Sequence, residues 1–430
     1  MFKMHKLYAA VIISAVLILV GCSDFLGSKG DSITDDVFEQ GRQDPDIFVD
    51  EIGYAALVPF WDGFDAPTDI YVGFDELIYV TDSEGVHVLD RAGRLYDTYP
   101  LRGAISVTQD RLLNLYVAAR YDTVITAIDP EITWDLPAVY KIKNLNGAGN
   151  LEVVDVLKHP FRRFDSSRSN TTLERFRLNR NSSNNDELVE ITGVGVMADN
   201  TLYITRRGPS NSSTTPFPDN VVLLFNHEME GGERTGRMRN VGRVNLRAQE
   251  PANFFSSIDV SDISTLVGPP QRDNMTSDRA FMITQGNEDR NIPFRTLWID
   301  AVNTPDGIEY RQNSSLQVRD TSRADSFLYD PDKFKNPTGI AFSADARSHI
   351  FVVDAGTDSL YQFQSNGIEG VNPPPGSDFE RAVNVSFGGT GNGPREFNNP
   401  SGVAYFQRIV YVADKGNNRI ARYRLNIDFE

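Results

Sequence analysis

NPSGVAYFQRIVYVADKGNNRIARYRL, residues Asn399 to Leu425, decides the fold. Pro400, Ser401 and Gly402 open a strand over Val403 to Tyr405, and a second apolar strand follows over Ile409 to Val412. Asp414-Lys415-Gly416-Asn417-Asn418 is a turn, after which Ile420, Tyr423 and Leu425 punctuate a third strand. Strand, turn, strand, turn, strand is a β-meander. Three strands cannot bury both of their faces alone, so a meander of this kind needs neighbours like itself.

The chain supplies them. Lys335 to Phe342 reads KNPTGIAF and His349 to Phe363 reads HIFVVDAGTDSLYQF; Ala66 to Val72 reads APTDIYV and Leu77 to Leu89 reads LIYVTDSEGVHVL. Pro67, Pro337 and Pro400 stand two residues before Asp69, Gly339 and Gly402, and Asp82, Asp354 and Asp414 each end a second strand. Self-similarity of this kind marks a propeller or a solenoid. The pattern P-x-G-hydrophobic followed by YVAD-x-GNNRI resembles the NHL repeat, closely at Pro400 to Tyr423, well at Pro337 to Phe363 and partially at Pro67 to Leu89. GGTGNGPREF, residues 388–397, resembles the glycine-rich lead-in that this family places before a repeat. The resemblance implies an all-β β-propeller and makes Arg419 part of the scaffold.

The rhythm of strands and turns gives six blades of four strands, with five or seven as the alternatives. Blade 1 is expected over Pro67 to Tyr99. Blade 2 takes strands at 105–107, 113–118, 138–142 and 153–157, and blade 3 at 191–197, 202–205, 221–225 and 242–246. Blade 4 takes 257–260, 280–284, 296–302 and 307–311, and blade 5 takes 338–342, 350–353, 360–363 and 382–387. The last repeat ends at Asn426 without room for a fourth strand, while the strand near Ala55 to Pro59 has no repeat before it. That strand is therefore expected to complete blade 6 and close the ring, which removes open sheet edges.

The amino terminus has a different character. Lys3 and Lys6 precede an uncharged run from Leu7 to Val20, too short for a comfortable membrane span and suited to a secretory signal. The run ends in Leu19-Val20-Gly21-Cys22, which resembles the lipobox of bacterial lipoproteins. The resemblance implies cleavage before Cys22 and lipidation of its thiol and new amino group. Cys22 is the only cysteine in the chain, which fits lipidation better than redox or metal chemistry. The organisation is then a signal peptide over 1–21, a polar tether over 22–46 and the propeller over 47–430. Ser23 after the cysteine leans towards the outer rather than the inner membrane, by analogy with the sorting rule of enteric bacteria. Cleavage takes the net charge from −17 to about −19, which disfavours nucleic acid and anionic lipid surfaces as partners.

Candidate functional residues are sparse. The stretch 162–186 carries Arg162, Arg163, Arg168, Arg175, Arg177 and Arg180, a basic island in an acidic protein; it reads as a docking site for an acidic partner or as a solvated loop. The stretches 206–219, 263–278 and 319–332 read as further polar insertions, which in a propeller gather on its faces. His87, His159, His227 and His349 lack metal-ligand spacing and fall at different radial positions. Asp82, Asp354 and Asp414 recur at equivalent places, as turn-setting residues do. Two acidic sets, Asp44, Asp46, Asp50 and Glu51, then Asp62, Asp65, Asp69, Asp75 and Glu76, have oxygen ligands for calcium or another divalent ion but no EF-hand pattern. Gly193-Val194-Gly195 sits in a strand without a following helix, and no nucleophile elbow, phosphate loop or C-x-x-C occurs. The sequence therefore points first to an envelope lipoprotein whose propeller binds or scaffolds a protein, peptide or glycan. The alternative is a metal-dependent hydrolase, lactonase or lyase working in the central channel.

Overall fold

The computed structural model describes residues 52–125, 131–143, 151–159, 180–181, 184–208, 221–244, 259–267, 279–286, 293–373, 375–376 and 379–428. They form six four-stranded antiparallel sheets, and the first strands of the sheets contact one another in order around a ring. These innermost strands are Asp69–Val72, Ser106–Gln109, Glu190–Val196, Val260–Thr265, Pro337–Phe342 and Pro400–Phe406. The architecture is a six-bladed β-propeller.

The ring closes as the sequence requires. Tyr54–Ala56 pairs antiparallel with Arg419–Leu425, and Tyr54, Ala55 and Ala56 stand opposite Leu425, Arg424 and Tyr423. Leu57 N donates to Arg422 O at 2.8 Å, and Trp61 and Ile420 exchange backbone bonds of 3.1 and 2.8 Å. The last blade is thus three strands from the carboxyl end and one from the amino end.

Each sheet packs both faces against neighbours, so its middle strands are apolar throughout rather than alternating. Every residue of Ile78–Thr81 and of Ile350–Asp354 is buried. The core is accordingly a set of wedges between blades. Tyr116, Ala118 and Val139 of blade 2 pack on Ile191 and Ile204 of blade 3, and Tyr203 and Val222 of blade 3 pack on Phe281 and Ile283 of blade 4. Met282 meets Ile340 and Val352 of blade 5, and Ile70 and Val80 of blade 1 meet Ala404 and Tyr411 of blade 6. Each fully buried large aliphatic side chain in these wedges contributes about 1.5–3 kcal/mol.

The irregular blades differ in detail from the sequence expectation. In blade 2 the middle hairpin runs much further, Leu115–Ile125 with Ile132–Lys143. In blade 3 the outer strand is Glu233–Val244, following Val221–Glu230 through Gly231 and Gly232, both at positive φ, so it begins well before residue 242. The inner strand of blade 4 is Val260–Thr265 rather than 257–260, so the stretch expected as an insertion from Ile263 begins inside the sheet. The last strand of blade 5 shrinks to Phe387–Gly388. The stretch 319–332, expected as a polar insertion, packs against the blades: Ala324, Phe327, Leu328 and Tyr329 are buried, and the Tyr329 hydroxyl accepts a bond from Trp298 N at 2.9 Å. Aromatic residues spaced among charged ones hide a small packed unit in a stretch whose composition is polar.

Candidate functional site

The inner strands line a central channel, and each begins with the same distortion. Two residues oppose one across the first pairing: Ser401 and Gly402 face Ala413, Thr338 and Gly339 face Val353, Ser261 and Asp262 face Thr284, and Thr192 and Gly193 face Thr205. Blades 1 and 2 do the same, with Thr68 N and Ile105 N donating to Thr81 O and Ala118 O beside the pairs Asp69–Thr81 and Ser106–Ala118. A bulge at this place re-aims the two side chains it carries.

The first side chain of the bulge staples one blade to the next. The hydroxyls of Thr68, Ser261, Thr338 and Ser401 donate to the carbonyls of Ala104, Pro337, Pro400 and Pro67, at 3.0, 2.6, 2.6 and 2.6 Å. The second forms the waist of the channel, and it is Asp69, Ser106, Gly193, Asp262, Gly339 or Gly402. Asp69 accepts from Ile70 N at 2.7 Å and from Val107 N of blade 2 at 3.0 Å. Asp262 accepts from Ile263 N at 2.7 Å and from Ile340 N of blade 5 at 2.9 Å, and Ser106 Oγ accepts from Val194 N of blade 3 at 3.2 Å. The glycines are required by proximity: a Cβ on Gly402 would lie 2.8 Å from Asp69 Cα, and one on Gly339 2.9 Å from Gly402 Cα.

Asp69 and Asp262 belong to blades 1 and 4, opposite members of a six-membered ring. Both keep partial contact with channel solvent, yet protein surrounds them. Desolvation raises the Asp69 carboxyl to about 6 against the pull of its hydrogen bonds, and the cost is greater for Asp262, which is raised by burial and then by the charge of Asp69.

The waist divides two cavities that share Asp69, Ser106 and Asp262. Above it, residues from all six blades enclose about 400 Å³, with Glu190, Arg207, Asn336 and Lys415 at the polar mouth. Glu190 and Arg207 are paired at 2.5 Å. Below it lies a smaller cavity of about 80 Å³. Its wall carries one β-branched residue from every blade, Ile70, Val107, Val194, Ile263, Ile340 and Val403, and Tyr71, Phe342 and Tyr405 stand further down.

The residues singled out from sequence separate into distinct places. Asp82, Asp354 and Asp414 are all 0 % exposed and do one job. Their carboxylates accept the amide N–H of Asp65, Lys335 and Asn398, the residues two before Pro67, Pro337 and Pro400, at 3.0, 2.7 and 2.8 Å. Asp414 also holds Arg419 at 2.7 Å, and Arg419 reaches the carbonyls of Asn392, Gly393 and Glu396 in the glycine-rich lead-in. The histidines are dispersed: His87 pairs with Asp82 at 2.7 Å, His159 with Asp186 at 2.8 Å, His227 lies 3.2 Å from Lys141, and burial holds His349 down to about 4. Of the second acidic set, Asp75 accepts from Tyr79 and Gln109, Glu76 pairs with Arg91, and Asp69 is in the waist. Among the described residues no group of three or more His, Cys, Asp or Glu is arranged to hold a metal ion. Arg180 is committed to Glu187 at 2.7 Å and lies over the Trp134 ring. Arg162, Arg163, Arg168, Arg175 and Arg177, the first acidic set and Cys22 lie outside the described residues. Among the described residues no helix is long and apolar enough to cross a membrane.

Asp262 was missed, and a signal for it exists. Thr68-Asp69-Ile70, Thr192-Gly193-Val194, Ser261-Asp262-Ile263, Thr338-Gly339-Ile340 and Ser401-Gly402-Val403 share hydroxyl, small or acidic, then β-branched. Ile105-Ser106-Val107 departs from it only in lacking the hydroxyl.

Residues 397–423 match the NHL repeat family. No curated protein matches the chain in sequence. Solved structures similar to it include a Bacteroides thetaiotaomicron structural genomics protein of unknown function, at 14 % identity and a TM-score of 0.43, covering 89 % of this chain and 74 % of that one. An auxiliary nutrient binding protein from Bacteroides ovatus is similar at 10 % identity and a TM-score of 0.46, covering 87 % and 77 %. A gluconolactonase from Xanthomonas campestris is similar at 10 % identity and a TM-score of 0.44, covering 88 % and 91 %.

Proposed function

We propose that the protein is an envelope lipoprotein, anchored by lipid on Cys22, that uses its propeller to bind or scaffold a protein, peptide or glycan. The upper cavity carries this reading. Its volume of about 400 Å³ lies within the range of small-ligand sites, its walls come from all six blades, and its mouth offers a carboxylate, a guanidinium, an amide and an ammonium group within one polar rim. Hydroxyl staples and waist carboxylates hold those walls to one another, so the rim is presented on a rigid frame and binding forfeits little ordering entropy.

Titration calorimetry with a panel of envelope oligosaccharides and short peptides tests this. Saturable binding that weakens in Lys415→Ala and Arg207→Ala is the expected result; a panel without a binder, or binding indifferent to both changes, defeats it. The anchor has its own test, because Cys22→Ala must lose membrane partitioning.

A metal-dependent hydrolase, lactonase or lyase is the second reading. Its support is Asp69, a channel-facing carboxyl raised to about 6, where a proton moves readily near neutrality. Turnover of lactones or esters that disappears in Asp69→Asn would move the assignment to this reading.

A further inference from the structure

We infer that the channel below the waist receives an alkylammonium group, that of a free polyamine or of a partner's lysine side chain, with the cation at Asp69 and Asp262. The inference rests on the binding reading and names a ligand chemistry for it.

Three tiers of the lower cavity match three parts of such a ligand. At the top stand the two waist carboxyls. Each of their oxygens accepts one backbone N–H, and Asp69 accepts the Ser106 side chain besides; a carboxylate has about four lone-pair sites, so both keep acceptor capacity towards the channel. The next tier is the aliphatic belt, one β-branched side chain per blade, against which a methylene stem loses water without leaving a polar atom unpaired. At the bottom Tyr71, Phe342 and Tyr405 line the cavity. Aromatic faces attract cations and pack on methylenes equally well.

The bottom tier is held in place before any ligand arrives. The Tyr405 ring stacks on Phe351 at an interplanar angle of 17°, and its hydroxyl donates to Asp345 at 2.5 Å. Phe342 is fixed edge-on against Trp298, with ring centres 5.8 Å apart. Along the strand, Asp262 to Thr265 and its counterparts Gly339 to Phe342 and Gly402 to Tyr405 each span three residue steps, or about 10 Å at the usual rise. A lysine side chain or one arm of a polyamine spans most of that distance. Charge favours the same occupant, because the chain carries −17 and neither waist carboxyl has a cationic partner among the described residues.

Calorimetric titration of the full chain tests the inference with four probes. Spermidine represents the free amine, and an acetylated Gly-Lys-Gly peptide amide represents the side chain. Pentanol supplies a stem without charge, and magnesium a charge without a stem. Saturable binding of either amine, with pentanol and magnesium inert, is the expected result, and the tighter amine identifies the source. The affinity should fall measurably in Phe342→Leu, which removes an aromatic face at the lower end of the stem and leaves the carboxyls untouched, and by about tenfold or more in Asp69→Asn. Thermal melts establish that each variant is folded, and Phe342→Leu decides the matter if Asp69→Asn is not. The inference fails if neither amine saturates by about 10 mM, if pentanol or magnesium binds as well as the amines, or if Phe342→Leu leaves amine affinity unchanged. Should the mouth still bind oligosaccharide or peptide in the absence of amine binding, this inference alone falls and the binding reading stands.

Discussion

Tyr54 stands opposite Leu425 as a strand partner, and this pairing, continued by Leu57 N to Arg422 O and the Trp61–Ile420 exchange, joins the two ends of the propeller in one sheet. Blade 6 has its fourth strand only because the amino-terminal segment reaches it. Ala56 is fully buried opposite Tyr423, so a charged side chain there would be taken out of water inside the packed sheet. Ala56→Asp should therefore release the strand, at a cost of about 3 kcal/mol or more, and expose the edge of Arg419–Leu425 to other chains. Equilibrium urea unfolding measures the loss and light scattering the association; a variant as stable and monodisperse as the parent would contradict the closure.

Asp414 offers a different test, because its neighbours depend on it in two directions. Its carboxylate receives Asn398 N and the Arg419 side chain, and Arg419 in turn organises the glycine-rich lead-in. Asp414→Ala leaves a half-buried guanidinium without its carboxylate, so it should cost about 3–5 kcal/mol. Arg419→Ala alone leaves Asp414 with its amide and Asn417 donors and should cost less. Chemical denaturation of both variants and of the double mutant measures the coupling, and simple additivity would mean the two residues act separately.

How much of this was legible in sequence follows from which forces set each part. The Pro-x-Gly and Asp positions were readable because blades 1, 5 and 6 solve the same local problem in the same way: Asp82, Asp354 and Asp414 bind the amide two residues before the proline. Closure was readable because the repeat count left one strand missing at the carboxyl end and one strand over at the amino end. The inner strand of blade 4 was misplaced because no proline marks the start of Val260–Thr265, so the only local cue was Ser261-Asp262-Ile263. The pairing of Asp69 with Asp262 across the channel could not be read, because it arises from ring geometry between residues far apart in the chain.

The waist carboxyls give stability a distinctive pH dependence. Asp69 is raised to about 6 from its ordinary value, so the folded chain holds a proton that the unfolded chain has released. Stability from this group is complete below about 4 and is lost as pH rises through 6, by at most about 1.4 kcal/mol per pH unit for one group. Asp262, raised further by burial and by Asp69, carries the loss to higher pH. Asp69→Asn should flatten the decline measured by urea unfolding at stepped pH, whatever it does to absolute stability. An unchanged slope would mean that the carboxyl is ordinary.

Lys141 predicts the opposite sign. It is 2 % exposed, with Nζ donating to Gly236 O at 2.8 Å, and burial lowers its ammonium group to about 8 despite the nearby Asp110. Between about 8 and the ordinary lysine value the unfolded chain binds the proton that the folded chain has given up, so stability rises with pH across that window. At neutral pH the charge is carried at a cost. Lys141→Met keeps the length of the side chain against Tyr116 and Met238 while removing the charge. It should equal or exceed the parent in stability at pH 7 and lack the alkaline rise. A variant that is less stable at pH 7 by more than the value of one hydrogen bond, about 1 kcal/mol, would place the ammonium group among the fold's net stabilisers.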